Sequence, residues 1–123
     1  MTFAPIALFV YNRPEHTRRT VDALRANRLA SSTELHVFSD GPRAPQAAAT
    51  VRRVRAYLQT IDGFASVKIH QRESNFGLAE SIIDGVTRLC HSRGKAIVIE
   101  DDLLVAPGFL SYMNAALDRF AHH

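Results

Sequence analysis

Apolar runs of strand length alternate four times with segments of helical periodicity along this chain. The apolar runs occupy residues 5–11, 34–39, 67–69 and 95–99. Helical segments follow them at about 12–27, 47–61, 75–93 and 107–120. Strands that alternate with helices form a mainly parallel sheet with helices packed on its faces. The sequence therefore predicts an α/β fold with three layers, in which an open, mainly parallel sheet carries helices on both faces.

The polarity of the four strands predicts their order in the sheet. The first run, Pro5–Tyr11, and the fourth, Lys95–Ile99, are almost continuously apolar, which is typical of strands in the middle of a sheet that are buried on both faces. Polar and apolar residues alternate in the third run, Val67–His70, which favours an edge position. With right-handed crossovers the predicted order is 3-2-1-4. The chain reverses its direction across the sheet between strands 1 and 4, and ligands of open α/β sheets bind at such a point, beyond the carboxyl ends of the strands.

Length and composition limit the classes of protein to be considered. The 123 residues, 46% of them hydrophobic, predict a single domain over residues 1–123. No apolar stretch approaches the ~20 residues of a membrane span, and Cys90, the single cysteine, excludes an internal disulfide. The net charge of +3 is modest and no aromatic–basic pattern accompanies it, so we expect no nucleic-acid partner. The N-terminus lacks a basic segment before an apolar stretch, so we expect a cytoplasmic location, with the inner face of the membrane as an alternative.

Two predicted helices carry polar residues that need an interpretation. The first helix is predicted to start at Asn12, because Asn12 stands three residues before Glu15, as in a capping box. The second helix carries Arg52, Arg53 and Arg55. We interpret these arginines as a solvated outer face, with an acidic partner or a membrane surface as the alternative.

Polar residues follow all four predicted strands. They are Tyr11, Asn12 and Arg13 at strand 1, Ser39 and Asp40 at strand 2, Arg72, Glu73, Ser74 and Asn75 at strand 3, and Glu100, Asp101 and Asp102 at strand 4. Because the carboxyl ends of parallel strands meet at one edge of a sheet, we expect these side chains to gather on one rim, where a ligand would bind.

The triplet Glu100–Asp102, called the acidic turn below, is the most informative of these groups. Three adjacent carboxylates at the end of a buried strand repel one another and resist desolvation, so a cation is expected to compensate them. Carboxylate oxygens suit Mg²⁺ or Mn²⁺, which keep positions open for water and phosphates. The alternatives are a capped helix and a solvated loop. The next helix is predicted to start near Ala106, too far downstream to be capped, so the triplet predicts a divalent metal site.

Three other rim positions have two interpretations each. Asp40 lies in a Ser-Asp-Gly-Pro segment, so it either serves the turn or accepts the imide N–H of a uracil ring. Arg13 either contacts a base or phosphate or is merely exposed. Asn75 and Gly77 either open the third helix onto an anionic ligand or form an ordinary cap followed by a turn glycine.

Four segments together resemble one enzyme family. Ile6–Pro14, Phe38–Pro42, Asn75–Leu78 and Val98–Leu103 resemble, in this order, the motifs of nucleotide-sugar glycosyltransferases of the GT-A fold. The likeness is nearest to family-2-like bacterial transferases and to the N-acetylglucosaminyltransferase I group, which has a Glu-Asp-Asp motif followed by an apolar stretch like Val105–Phe109. The chain looks like the Rossmann-like, nucleotide-binding half of such a domain.

The resemblance implies a UDP-linked sugar as donor, Mn²⁺ or Mg²⁺ as cofactor, and a carbohydrate or glycoconjugate as acceptor. It also implies roles for nine residues: Tyr11, Asn12, Arg13 and Asp40 would hold the nucleoside, Asn75 and Gly77 would lie near the ribose or phosphates, Glu100 and Asp101 would position ribose, sugar or metal-bound water, and Asp102 would bind the metal. The acceptor hydroxyl would attack the anomeric carbon with inversion, helped by a general base, while the ion offsets charge on the leaving diphosphate.

The chain differs from the family in length. The acceptor half of such transferases, with its Asp or Glu base, lies downstream of the metal motif, and here no candidate base follows Asp118. We therefore expect a donor-binding domain that is truncated before the acceptor half, weakly active alone, with an unassigned catalytic base. The truncation leaves an apolar edge on strand 4, which predicts self-association.

Two other classes of function stay open. A nucleotidyltransferase also uses acids and Mg²⁺ on a similar sheet, but it carries a Gly-rich loop where this chain has Asn12–Pro14. A non-catalytic α/β interaction module predicts that Asp102→Ala leaves every binding property unchanged.

Overall fold

The computed structural model of the protein describes residues 2–121, which form four strands and four α-helices in strict alternation. In chain order they are β1 (Ile6–Val10), α1 (Pro14–Arg25), β2 (Glu34–Ser39), α2 (Ala48–Leu58), β3 (Ser66–Gln71), α3 (Leu78–Arg93), β4 (Ile97–Glu100) and α4 (Phe109–Ala121). The α/β alternation predicted from the apolar runs is confirmed. Within the described range, no helix has the length and apolar character that crossing a bilayer requires.

The four strands form one parallel sheet in the order β3-β2-β1-β4, as predicted. Val10 of β1 pairs with Ser39 of β2, and Ser39 pairs with Gln71 of β3. On the other side Phe9 of β1 pairs with Glu100 of β4. The last residues of all four strands are therefore nearly level, and the loops that follow them share one rim.

The core lies on both faces of the sheet and is thicker on the first. There Ile6 and Leu8 of β1 pack with buried residues of three helices: Val21 and Leu24 of α1, Val54 and Leu58 of α2, and Leu110 of α4. On the second face Ala7, Phe9 and Phe38 pack with Leu89 of α3. Successive residues of a strand point to opposite faces, so β1 supplies both halves of the core. The predicted three-layer arrangement is confirmed.

β4 is an edge strand, as the predicted order 3-2-1-4 requires, although its apolar sequence is typical of a central strand. The prediction that this strand is buried on both faces is wrong for the described residues. Ile97 and Ile99 face the thicker half of the core and are each 1% exposed, whereas Val98 is 40% exposed. The reason is that α3 packs over Phe9 and Phe38, on β1 and β2, and does not extend over β4. Self-association through this edge stays a prediction.

Gly85 lets α3 approach the sheet closely. A Cβ atom at this position would lie 2.8 Å from two ring atoms of Phe9 and 3.1 Å from the ring of Phe38. Alanine normally stabilises a helix interior by about 1 kcal/mol relative to glycine, but overpacking a core costs about 1–3 kcal/mol. We expect Gly85→Ala to lower the free energy of unfolding in urea by up to about 2 kcal/mol. Gly108→Ala is the control, since nothing lies within 4 Å of its Cβ position; equal effects would contradict the packing argument.

His36 of β2 and His70 of β3 form a pair on the face of the sheet that α3 covers. The rings of His36 and His70 are stacked with centroids 5.6 Å apart, and His36 Nδ1 lies 3.3 Å from His70 Nε2. Burial lowers the pKa of both rings. Among the neighbouring charged groups, Glu34 favours the charged form of His36, whereas Lys68, Arg72, Arg88 and Arg93 disfavour a charge on one ring or both.

The histidine pair predicts a loss of stability in mild acid. Because the pKa of both rings is lowered, the folded protein binds fewer protons at this pair than the unfolded chain does. The protein therefore keeps its full stability above the ordinary histidine pKa of 6.5, and its free energy of unfolding declines as the pH falls through and below that value. Urea unfolding at pH 7.5 and 5.5 measures this change. We expect the wild-type protein to lose more free energy of unfolding between these pH values than the double variant His36→Gln/His70→Gln. An equal loss in both proteins would contradict the assignment.

Candidate functional site

A cavity of about 360 Å³ opens on the rim where the four strands end. This volume lies within the usual range of small-molecule sites. All nine residues predicted for the site line it, and we call it the rim cavity: Tyr11, Asn12, Arg13, Asp40, Asn75, Gly77, Glu100, Asp101 and Asp102. Phe9, Val10, Arg43, Leu78 and Ser81 complete its wall. The structure thus brings together the nine residues to which the resemblance gives a role, while the ligand-binding role of each remains a prediction.

Four polar residues of the predicted rim do not line the cavity. Glu73 and Ser74 are exposed outside it. Ser39 and Arg72 are buried behind it and are 0% and 5% exposed. Their hydrogen bonds are made within the protein, so they support the site without contacting a ligand in it.

The carboxylate of Asp40 is a buried hub of hydrogen bonds. Oδ1 accepts the backbone N–H groups of Gly41 at 2.9 Å and Phe76 at 2.8 Å. Oδ2 accepts Gly77 N–H at 3.0 Å and the Asn75 side-chain amide at 3.2 Å. We call these four hydrogen bonds the Asp40 network. Asp40 is 6% exposed, and the network ties the end of β2 to the turn before α3.

The Asp40 network supports the turn role of Asp40. The hydrogen bond to Gly41 is the local one that turn chemistry predicts, while the contact of Asp40 with a uracil ring stays a prediction. The interpretation of Asn75 as a helix cap is wrong, because Gly77 is the N-cap, with φ of 80°, and no side chain caps the helix.

Arg55 supports the site from behind, whereas the sequence predicted a solvated position for it. Its guanidinium donates to Ser39 Oγ at 3.0 Å and to the backbone carbonyls of Ser39, Asp40 and Arg72 at 3.1, 3.1 and 2.9 Å. Arg52 and Arg53 are exposed as expected, but Arg55 lies on the inner face of α2. The helical spacing indicates this position, because residue 55 is four residues after the buried Val51 and therefore lies on the same face of the helix. Arg55 holds the ends of β2 and β3 together behind the Asp40 network.

Arg72 joins β3 to α3. Its guanidinium carbon lies 5.1 Å from the ring centre of Phe38 and 4.4 Å from that of Phe76. It also pairs with Asp84 and donates to Ser81 O at 3.1 Å. Burial would raise the pKa of Asp84, but Arg72 and Arg88 outweigh that effect and hold it below the ordinary value. This pair, in which Arg72 is buried and Asp84 is partly exposed, fixes α3 and with it the wall of the cavity that Ser81 and Leu78 form.

The loop after β1 contributes the basic side of the cavity. The prediction that Asn12 starts α1 is wrong: the helix begins at Pro14, Arg13 is its N-cap, and no side chain caps it. Asn12 and Arg13 are therefore free to line the cavity. Tyr11 Oη accepts the backbone N–H of Arg43 at 2.9 Å, which brings a second arginine to the same cavity.

The acidic turn faces the cavity from the end of β4. The hydroxyl of Thr20 in α1 donates to Asp101 O at 2.9 Å and fixes the turn. Since α4 begins only at Phe109, the carboxylates cap no helix. Burial raises the pKa of Asp101. The negative charges of Asp102 and Glu100 raise this pKa further, whereas the positive charges of Arg13 and His16 lower it. Negative charge at this turn is therefore only partly compensated by the protein.

This donor set fits a hard divalent cation. Carboxylate oxygens are the ligands that Mg²⁺ and Mn²⁺ prefer, and a nearby cation would relieve the unfavourable charge on Asp101. Across residues 2–121 no group of three or more His, Cys, Asp or Glu side chains is arranged to enclose a metal ion. An ion here would take one or two protein carboxylates and complete its shell with water and ligand phosphates, as Mg²⁺ commonly does.

Comparison with known proteins supports the fold and leaves the family open. No family model matches the chain, and no curated protein matches it in sequence. Among solved structures it is similar to the crystal structure of S. aureus TarS, a glycosyltransferase, with a TM-score of 0.63 at 16% identity. The match covers 94% of this chain and 20% of the TarS chain. The chain therefore spans about a fifth of the TarS chain, and the two share an α/β fold over that part.

Proposed function

We propose that the rim cavity is the donor site of a glycosyltransferase and binds a nucleoside diphosphate sugar, UDP-linked, together with a divalent cation. One observation carries the proposal. A single cavity at the switch point of a parallel sheet is lined by Arg13, Arg43 and the acidic turn. Arginines recognise phosphate oxygens, while carboxylates need a cation to accept a diphosphate beside them. The glycosyltransferase-like fold is consistent with this use of the cavity.

The residues that line the cavity would have different roles. Asp102, the exposed acid, would hold Mn²⁺ or Mg²⁺, and the bound ion would supply Lewis-acid stabilisation of a leaving diphosphate. Glu100 and Asp101 would orient the ribose, the sugar or metal-bound water. Arg13 would contact the nucleotide from the neighbouring loop after β1. The transfer itself would be inverting, onto a hydroxyl of a carbohydrate or glycoconjugate, and its general base is not assigned to a described residue.

Thermal unfolding with UDP tests the proposal. We expect the Tm to rise with UDP concentration in the presence of Mn²⁺, by about 3 °C or more once free UDP exceeds its Kd tenfold. UDP alone and Mn²⁺ alone should each give a smaller shift. UDP alone leaves the carboxylates of the acidic turn without a cation, and Mn²⁺ alone leaves Arg13 and Arg43 without an anion. No shift with any nucleoside diphosphate, with or without Mn²⁺, would reject the donor-site assignment.

A further inference from the structure

We propose that Thr20 is a positioning residue of the donor site, because its buried hydroxyl holds the peptide group between Asp101 and Asp102 and thereby sets the direction of the Asp102 carboxylate. This inference rests on the proposed function, since that direction matters for a ligand only if Asp102 holds a cation. Thr20 does not line the rim cavity, so it would act on a ligand only through the acidic turn.

The hydroxyl of Thr20 makes a contact that is unusual for a residue inside a helix. A threonine hydroxyl in a helix commonly donates to a carbonyl of the same helix, three or four residues earlier. Thr20 lies in α1 and is 0% exposed, and its Oγ1 donates instead to Asp101 O, 81 residues later in the chain, at 2.9 Å. The hydrogen bond therefore connects α1 to the acidic turn.

The backbone of the acidic turn has few other restraints. Its internal hydrogen bond joins Leu103 N–H to Glu100 O at 3.3 Å, which is longer than the typical distance of about 2.9 Å. Among residues 2–121, no donor other than Thr20 reaches Asp101 O. The described segment between β4 and α4 contains no helix or strand. The bond from Thr20 is therefore the shorter of the two hydrogen bonds that restrain this turn.

One peptide group transmits the restraint to the proposed metal ligand. The carbonyl of Asp101 and the N–H of Asp102 belong to the same planar unit. A fixed position of Asp101 O therefore fixes the plane from which the Cα of Asp102 projects, and a rotation of this plane would swing the Asp102 side chain with it. The exposed carboxylate of Asp102 is thus oriented from the buried helix α1.

The same helix carries part of the basic side of the cavity. Arg13, the N-cap of α1, lines the cavity, and Thr20 contacts the acidic turn about two helical turns later. Val21 and Leu24 are 0% exposed and pack α1 into the core. Because Arg13 and the acidic turn are both held by one buried helix, α1 fixes the spacing between them. A cation and a diphosphate that bind together would have to match this spacing.

Two threonines of α1 provide a matched set of variants. Thr20→Val removes the hydroxyl and keeps the shape of the side chain, whereas Thr20→Ser keeps the hydroxyl. Thr17→Val is the control, because Thr17 is also 0% exposed in α1 but its Oγ1 has no hydrogen-bond partner among residues 2–121. Urea unfolding shows whether each variant is folded. If Thr20→Val does not fold, Thr20→Ala, which also lacks the hydroxyl, takes its place.

Calorimetric titration with UDP, without metal and at one fixed Mn²⁺ concentration, measures the effect on binding. We expect Thr20→Val to bind UDP about tenfold more weakly than wild type in Mn²⁺, as is typical when a residue that orients a metal ligand is removed, and equally well without metal. Thr20→Ser and Thr17→Val should keep the wild-type affinity under both conditions. Full metal-dependent binding by Thr20→Val would overturn this inference and leave the donor site intact. Absence of UDP binding by the wild type would reject the proposed function, and this assignment with it.

NMR relaxation of the ligand-free protein tests the positioning itself. The backbone amide of Asp102 should have an order parameter of about 0.85 in wild type, Thr20→Ser and Thr17→Val, as rigid backbone does, and a clearly lower value in Thr20→Val. The amide of Leu8 in β1 is the internal reference and should not change. A flexible Asp102 amide in the wild type, or an equally rigid one in Thr20→Val, would overturn the positioning role.

Discussion

Asp40→Ala is expected to lower the free energy of unfolding by about 3 kcal/mol. The substitution removes an acceptor from four donors at once, namely three backbone N–H groups and the Asn75 amide. A hydrogen bond to a charged group contributes about 1.5–3 kcal/mol, and a buried donor left without a partner costs about 1–3 kcal/mol. The simple sum is not reached, because water entering from the rim cavity can satisfy part of the network. Urea unfolding measured at pH 7.5 gives the difference.

Two matched variants show whether the network causes the loss. Asp62→Ala removes a carboxylate whose side chain is 88% exposed and whose partner, Arg25, lies on the surface, so it should change stability little. Asp40→Asn keeps the size of the side chain and one acceptor oxygen, so it should fall between wild type and Asp40→Ala. A loss below about 1 kcal/mol for Asp40→Ala would contradict the claim that the Asp40 network is a main source of stability at the rim.

Asp102→Asn is expected to abolish the Mn²⁺-dependent part of UDP binding. Asparagine has nearly the same size but carries no charge, and divalent ions depend strongly on anionic oxygen ligands. In Mn²⁺ the affinity of the variant for UDP should fall at least about tenfold, to the value that wild type shows without metal. Calorimetric titrations with and without Mn²⁺ measure both quantities in the same protein.

The control for Asp102→Asn is Asp62→Asn, which makes the same change of charge in the loop between α2 and β3. That loop lies at the amino ends of the strands, on the far edge of the sheet from the rim cavity. The control should bind UDP as wild type does. If Asp102→Asn retains the full metal dependence, the ion is held elsewhere, and the acidic turn has a different role.

The fold was largely predictable because its determinants are periodic and local. Almost continuous apolar runs marked β1 and β4, alternation in Val67–His70 marked the edge strand β3, and right-handed crossovers left one order. The environment of β4 was not predictable, because Val98 is apolar but uncovered. An apolar residue in a strand does not reveal whether a helix lies above it. That depends on where α3 crosses the sheet, which Gly85, Phe9 and Phe38 decide through close packing.

The position of the site could be predicted from the sequence, whereas the hydrogen bonds that hold its residues could be predicted only in small part. Parallel strands bring their carboxyl ends together, so Arg13, Asp40 and the acidic turn could be assigned to one rim from the sequence. Apart from the adjacent Gly41, the partners of Asp40 could not be assigned. Phe76 and Gly77 donate backbone N–H groups from a turn more than thirty residues later, and backbone groups leave no mark in a sequence. Arg55 was readable from its helical spacing, but its charge favoured the surface interpretation.

The central claim is that a divalent cation and a nucleoside diphosphate bind together in the rim cavity, and Mn²⁺ can report its own position. Mn²⁺ is paramagnetic and broadens the NMR signals of nearby nuclei, so proton–nitrogen spectra recorded with UDP and either Mn²⁺ or Mg²⁺ locate the ion. We expect Mn²⁺ to broaden selectively the amide signals of the acidic turn and of Asn12–Arg13, while the signals of Gly63 and Ser66 at the opposite edge keep their intensity. Broadening centred away from the rim, or no UDP-dependent broadening at all, would contradict it.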